Sequence, residues 1–171
     1  MDKNYIDLHI HTTNSDGYFS PKKIVEMASK NDTSLIAISD HDSICGLPEF
    51  KENLKFGMHG IAGVEFSSYI MLNNKKIKLH ILGYGFDENN IKLLNLLQEM
   101  KEKRVAAHIK LLNFAKMKLL NLQEESLSRI NMERYCWFDR VFIKCLEQDN
   151  YSMDIINYYR DYFKNNRFSY G

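Results

Sequence analysis

The stretch 7-DLHIHTTNSDG-17 carries two histidines two positions apart, and its reading organises the rest of the chain. An extended run from Tyr5 to Ile10 puts His9 and His11 on one side, because strand side chains alternate with a period of two. Two imidazoles at a strand end form a pincer for one ion, and neutral imidazole is the commonest protein ligand of transition metals. Asp16 follows after a short polar loop, where Gly17 frees the backbone to turn the carboxylate back toward the rings. The alternative use of the same residues is structural: two half-exposed strand histidines and a turn aspartate.

Outward from this stretch, Ser20-Pro21 is an N-cap followed by proline at the first helical position, which predicts a helix to about Lys30 with Ile24, Val25, Met27 and Ala28 on its apolar face. The run 35-LIAIS-39 has turn residues on both sides and reads as a strand covered on both faces. Strand, helix, strand begins a parallel sheet. The second strand ends in 39-SDHDS-43, and function in parallel α/β folds collects at the carboxyl ends of strands, so His41 is expected at the same end as His11. Asp40 and Asp42 are expected to orient its ring. A short helix opens at 46-GLPE-49 and closes at Gly57. His59 to Glu65 reads as a third strand, continued by Phe66 to Leu72 into a hairpin at Asn73-Asn74 and a return strand carrying His80. Four strand segments thus present His9 and His11, His41, Glu65 and His80, donors that suit Mn, Fe or Zn. His59 stands at the start of its strand and is left out.

The chain has 171 residues, one domain's worth, with 44% hydrophobic and 26% charged residues, ordinary for a soluble globular protein. The formal net charge is +1, and all six arginines lie beyond residue 100. That separation suits a metal site followed by an anion clamp, and equally suits solvated helix faces. So balanced a chain predicts no general nucleic-acid binding. Three cysteines without metal spacing, an acidic N-terminus and the absence of a long apolar run point to a cytoplasmic protein with no membrane span.

The motifs 7-DLHIHTTNSDG-17, 39-SDHDS-43 with 46-GLPE-49, 63-GVEFSS-68 and 80-HILGYGFD-87 resemble, in order and spacing, the PHP (polymerase and histidinol phosphatase) family of metal-dependent phosphoesterases, and most nearly its nucleoside 3',5'-bisphosphate phosphatase branch. The resemblance is tight over the first ninety residues or so and loose beyond. It implies an α/β fold, part of a (β/α)7 barrel with a helical insertion, divided into 1–89 with the metal motifs and 90–171 as a lid. It implies two or three divalent ions, Mn first and Zn or Fe as alternatives. His9 and His11 would hold one, Asp16 and His41 another, Glu65 would bridge and His80 would bind the third. Asp16 and His41 would also meet the phosphate. A metal-held water would attack phosphorus in line, with no protein nucleophile.

Beyond Asp87 the pattern turns helical. Asn90 can cap a helix from Ile91 to about Met117 whose stripe is Leu93, Leu96, Met100, Ala107, Leu111 and Phe114, with Arg104 and His108 toward the stripe. Lys101 to Arg104 resembles the family's Arg-Glu-x-Arg phosphate contact with Lys for the first Arg; snorkelling basic side chains are the alternative. Arg140 matches the end of an Arg-x-His-x-x-Arg segment whose first Arg and His fall on Tyr135 and Trp137, with Arg134 one position away. Ser152 caps a last helix packed through Ile155, Ile156, Tyr159 and Phe163. The family pattern continues past Gly171 with more strands, a further histidine and an Asp-x-His pair. Three readings of the shorter chain follow: a truncated product, a fragment whose barrel a second chain completes, or a trimmed module that binds metal or a partner without catalysis. The expected substrate is a small phosphorylated metabolite such as a nucleoside bisphosphate, with histidinol phosphate or phosphotyrosine as alternatives.

Overall fold

A computed structural model describes residues 5–118 and 138–165. The first part runs β1 (Tyr5–Ile10), α1 (Pro21–Lys30), β2 (Thr33–Ile38), α2 (Leu47–Asn53), β3 (His59–Leu72) and β4 (Lys75–Tyr84). Helices follow: α3 (Ile91–Lys118), α4 (Phe138–Gln148) and α5 (Met153–Asn165). The strands form one sheet in the order β1-β2-β3-β4, parallel from β1 to β3 and antiparallel between β3 and β4. The sheet curls, for the Tyr84 hydroxyl at the end of β4 donates to the Leu8 carbonyl of β1 at 2.7 Å, across the two strands between them. The architecture is a mixed α/β partial barrel.

Local chemistry accounts for the elements. Ser20 caps α1 by accepting from the Lys23 N–H at 3.3 Å, with Pro21 at the first helical position. Val25 and Ala28 of α1, Ile36 and Ile38 of β2, and Leu47 and Phe50 of α2 make the core on one face of the sheet. Ala37 on the other face of β2 is also fully buried, as a parallel strand requires. The strand begins at Thr33, two residues before the apolar run, because Thr33 pairs with Tyr5 in the ladder. Asn73 and Asn74 both take positive φ, 50° and 60°, the turn whose twist matches a two-residue hairpin. Gly63 gives the curl its room: a Cβ there would lie 2.6 Å from the Ile38 carbonyl oxygen and 3.3 Å from the Tyr84 ring.

The chain forms two compact units, Met1–Met100 and Lys101–Gly171. Asn90 caps α3 by accepting from the backbone N–H groups of Lys92 and Leu93. On that helix Leu97 is buried while Leu96 is 46% exposed, so the expected stripe shifts by one residue. From Leu93, steps of four and three reach Leu97, Met100, Arg104 and His108, and this row outcompetes the one through Leu96. Arg104 and His108 are buried on it, so Arg104 does not snorkel. In the second unit, α4 and α5 pack through Phe142, Leu146, Ile156, Tyr159 and Phe163, with the Phe142 and Tyr159 rings 5.2 Å apart. Among the described residues no helix is long and apolar enough to cross a membrane.

Gly63→Ala is expected to cost about 1–3 kcal/mol, because the added methyl group meets backbone rather than a movable side chain. Urea unfolding of the variant checks it; an unchanged midpoint would mean that the curl does not depend on this close approach.

Candidate metal centre

Four imidazoles converge on one buried carboxylate. Glu65, 3% exposed, has Oε2 at 3.1 Å from His9 Nε2, 2.8 Å from His11 Nε2 and 3.4 Å from His41 Nδ1, while Oε1 lies 2.9 Å from His80 Nδ1. The donors arrive from the ends or bodies of three strand segments besides that of Glu65. His9 and His11 lie two residues apart at the end of β1 and share a side, with their Nε2 atoms 3.1 Å apart. His41, just past β2, forms an isolated parallel bridge with Glu65. His80 is paired across the hairpin with Ser67, two residues from Glu65, which puts it on the same face.

A second carboxylate lies beside this group. Asp16 Oδ1 is 2.7 Å from His11 Nδ1 and its Oδ2 is 3.9 Å from His41 Nε2. The loop that carries it is pinned from below by Asp40. That buried carboxylate accepts from the Thr12 N–H and Thr12 hydroxyl, both at 2.7 Å, and from the Ser15 hydroxyl. Thr12 and Ser15 are themselves fully buried, and the Thr12 carbonyl accepts from the N–H groups of Ser15 and Gly17. Gly17 serves by close approach: a Cβ there would sit 2.2 Å from the His11 carbonyl oxygen.

The expected role of the two aspartates around His41 is therefore corrected for Asp40, whose oxygens serve the Thr12–Ser15 loop instead of the ring. Asp42 accepts from the Ser67 N–H at 2.8 Å and donates its own N–H to the Glu65 carbonyl at 2.9 Å. It takes a left-handed φ of 48°, which aspartate tolerates better than most residues. His41 is thereby seated by the backbone on both sides of it.

The protonation states follow from these contacts. The hydrogen bond to Asp16 holds the His11 pKa above its ordinary value, against the effect of its burial. Burial dominates at His41 and pushes it down to about 4, helped by the neighbouring His11 and His80 and opposed by Glu65 and Asp16. Burial alone would raise Glu65, but the hydrogen bond from His9 and the charges of His41, His11 and His9 outweigh it and hold the carboxyl below its usual range. Glu65 is thus anionic and His41 neutral near pH 7, the states in which both donate lone pairs.

These residues fit a divalent cation. Three groups, His9-His11-Glu65, His11-Asp16-His41 and His41-Glu65-His80, each bring their ligand atoms within 4.8 Å of one another. The 3.1 Å and 2.8 Å spacings in the first group are those of neighbouring ligands around one ion, since bonds of ~2.0–2.2 Å at tetrahedral or right angles leave donors ~3 Å apart. The nitrogen–oxygen donor set with shared carboxylates suits Mn, Fe or Zn.

Six residues singled out in the sequence, His9, His11, Asp16, His41, Glu65 and His80, are thus brought together. His59 is exposed at the start of β3 and lies in none of the three groups. Lys101 is half-buried and Arg104 buried on α3 in the second unit. Arg140 lies on α4, its side chain outside the described set, and Arg134 lies outside the described residues. The pinning set Thr12, Ser15 and Asp40 was missed as such. Its one trace in the sequence is a pair of small hydroxyl residues in a loop and an aspartate at the end of the next strand.

The fold and the convergence of His and acidic donors define an α/β partial barrel with a candidate metal centre. The model of the PHP domain matches residues 7–170, and the chain belongs to that family. It is 39% identical over 105 residues to a 5'-3' exoribonuclease of Haemophilus influenzae, covering 61% of this chain and 36% of that protein. It is 32% identical over 101 residues to a 3',5'-nucleoside bisphosphate phosphatase of Chromobacterium violaceum, covering 58% and 34%. Among solved structures, a protein assigned as a metal-dependent phosphoesterase from Bifidobacterium adolescentis superposes with a TM-score of 0.70 at 20% identity, over 95% of this chain and 55% of that one. The chain thus matches about a third of the length of the two curated relatives.

Two outcomes are expected. Between pH 6.5 and the raised pKa of His11 its ring still holds a proton that a metal must displace, so Mn²⁺ binding should release protons there and weaken as pH falls. His41, pushed down to about 4, releases none in that window. In the metal-free protein the His11–Asp16 bond stabilises the fold below pH 6.5, a contribution lost as pH rises through the raised value. Calorimetry in two buffers of different ionisation enthalpy reads the proton count, and zero release at pH 6.5 would contradict the assignment. Separately, Asp40→Ala leaves three buried donors without their acceptor and should cost about 3 kcal/mol in chemical unfolding.

Proposed function

We propose that this chain supplies the metal-holding strands of a divalent-metal-dependent phosphatase acting on a phosphate ester of a nucleotide, with a nucleoside bisphosphate as the simplest substrate. The observation that carries this reading is the Glu65 cluster: four imidazoles around one buried carboxylate with Asp16 beside them, divided into three overlapping groups. Two or three ions fit that division, Mn in first place. The names of the two relatives, one acting on nucleoside bisphosphates and one on RNA, support a nucleotide substrate.

Bound divalent ions would supply Lewis acidity toward phosphoryl oxygens and acidify a water molecule. The rest is the work of the chain. Glu65 gathers His9, His11, His41 and His80 so that no donor has to be recruited when substrate arrives. His41 stays neutral and available. Asp16 spans His11 and His41 through its two oxygens, where it is placed to take a proton from the attacking water at Oδ2. Lys101 and Arg104 are assigned to the substrate phosphate by their family-like spacing alone. The compartment proposed is the cytoplasm, from the cysteine usage.

The test is Mn²⁺-dependent phosphate release from a panel of nucleoside bisphosphates, nucleoside monophosphates and sugar phosphates, with His9→Ala/His11→Ala measured beside the parent chain. Release is expected to favour nucleotides and to fall at least 100-fold in the double variant, with Mn²⁺ uptake reduced in parallel. A folded, metal-loaded parent chain that releases no phosphate from any of them would overturn the catalytic reading and favour a metal-binding module.

A further inference from the structure

The β1 strand steps out of register where it carries its first metal ligand. Asp7 lies opposite Ile36 and Ile10 opposite Ile38, so β1 takes three steps where β2 takes two, and the extra residue falls in the Leu8–His9 segment. Irregularities of this kind leave a residue unpaired and re-aim a side chain. His9 is also the most exposed of the four imidazoles, at 50% against 20%, 4% and 43% for His11, His41 and His80. It has the least pairing and packing to hold it.

Two side chains take hold of that segment instead. The Tyr84 hydroxyl donates to the Leu8 carbonyl at 2.7 Å, and the His9 N–H donates to Asp7 Oδ1 at 3.2 Å. Both bonds fall on one peptide unit, the one that joins Leu8 to His9. Because a peptide is planar and its plane includes the next Cα, fixing its C=O and its N–H fixes the His9 Cα as well. The sheet leaves Tyr84 a path to β1. Tyr84 is paired with Gly63, on the face that carries Glu65, and a Cβ on Gly63 would lie 3.3 Å from Tyr84 Cδ1. Ala37 of β2, aligned with Ile61, continues that face with a single buried methyl group.

We propose that Tyr84 and Asp7 are positioning residues of the metal centre, fixing the Leu8–His9 peptide and with it the His9 imidazole as a ligand. This rests on the metal-centre reading above and concerns the ligand set, not the substrate. The strand that carries His80 thereby also secures the ligand farthest from it along the chain. If the Tyr84 bond only closed the curl of the sheet, its loss would lower stability and change nothing at the ion.

The experiment titrates the metal-free chain with Co²⁺, whose visible absorption reports the number and arrangement of its ligands. Tyr84→Phe keeps the ring and removes the hydroxyl. Asp7→Ala removes the acceptor, and Asp7→Asn restores one without the charge. Tyr84→Phe and Asp7→Ala are each expected to weaken Co²⁺ binding roughly ten-fold and to change the absorption band, as losing a group that orients a ligand does. Asp7→Asn should bind as the parent chain does. Ser20→Ala, which removes the α1 cap, controls for a general loss of stability and should leave affinity and band unchanged. In the metal-free protein, amide hydrogen exchange at His9 should quicken about ten-fold in Tyr84→Phe, while exchange at Ile36 and Ile38 stays as it was. A Tyr84→Phe chain with the parent's affinity and band would overturn the proposal, as would an equal loss of affinity in Ser20→Ala or unchanged exchange at His9. A parent chain that takes up no Co²⁺ would overturn the metal-centre reading itself, and this proposal with it.

Discussion

One buried carboxylate holds the site together. Glu65 has four imidazole nitrogens at 2.8 to 3.4 Å, from three segments of the sheet besides its own, and it is almost wholly withdrawn from water. An anion so placed is stable only if protons or cations share the space, because an isolated buried charge is very costly. The surrounding histidines meet that demand in part, and a divalent ion meets it fully. The same constraint that makes the cluster a good metal site makes it an energetic liability for a chain lacking the metal. The site and the fold are therefore coupled through linkage.

The scaffold reflects that demand. Backbone bonds between Asp40, Asp42 and Glu65 tie β2 to β3 just where His41 leaves the strand. The Asp40 carboxylate ties the 12–17 loop to the same point, so Asp16 is positioned by buried hydrogen bonds and not by a flexible turn. Gly17 and Gly63 contribute by having no side chain where backbone approaches backbone. Such preorganisation lowers the cost of assembling a ligand set, since each donor is already ordered before an ion arrives.

The helical part is built on a different principle. In α4 and α5 the aromatic rings of Phe142, Tyr159 and Phe163 supply the packing, as amphipathic spacing predicts. On α3 the buried row runs through Arg104 and His108, which the sequence reading set toward an apolar stripe drawn one residue away, through Leu96. Periodicity finds the face of a helix but chooses poorly between adjacent rows, because steps of three and four are both compatible with 3.6 residues per turn.

The sequence by itself determined the strand, helix and turn order of the first ninety residues, since proline, Ser-Pro caps, Asn-Asn turns and apolar runs act over a few residues. It also nominated all six donors of the cluster, because the His-x-His pair, the SDHDS strand end, Glu65 at the end of its apolar run and His80 on the return strand are readable from short motifs and strand alternation. Tertiary structure alone decided that those donors share one carboxylate, that Asp40 serves the loop and not the His41 ring, and that Tyr84 reaches across the sheet to β1. Each of these depends on contacts between residues 15 to 76 positions apart. Such distances are set by the curl and register of the sheet, which no short stretch of sequence encodes.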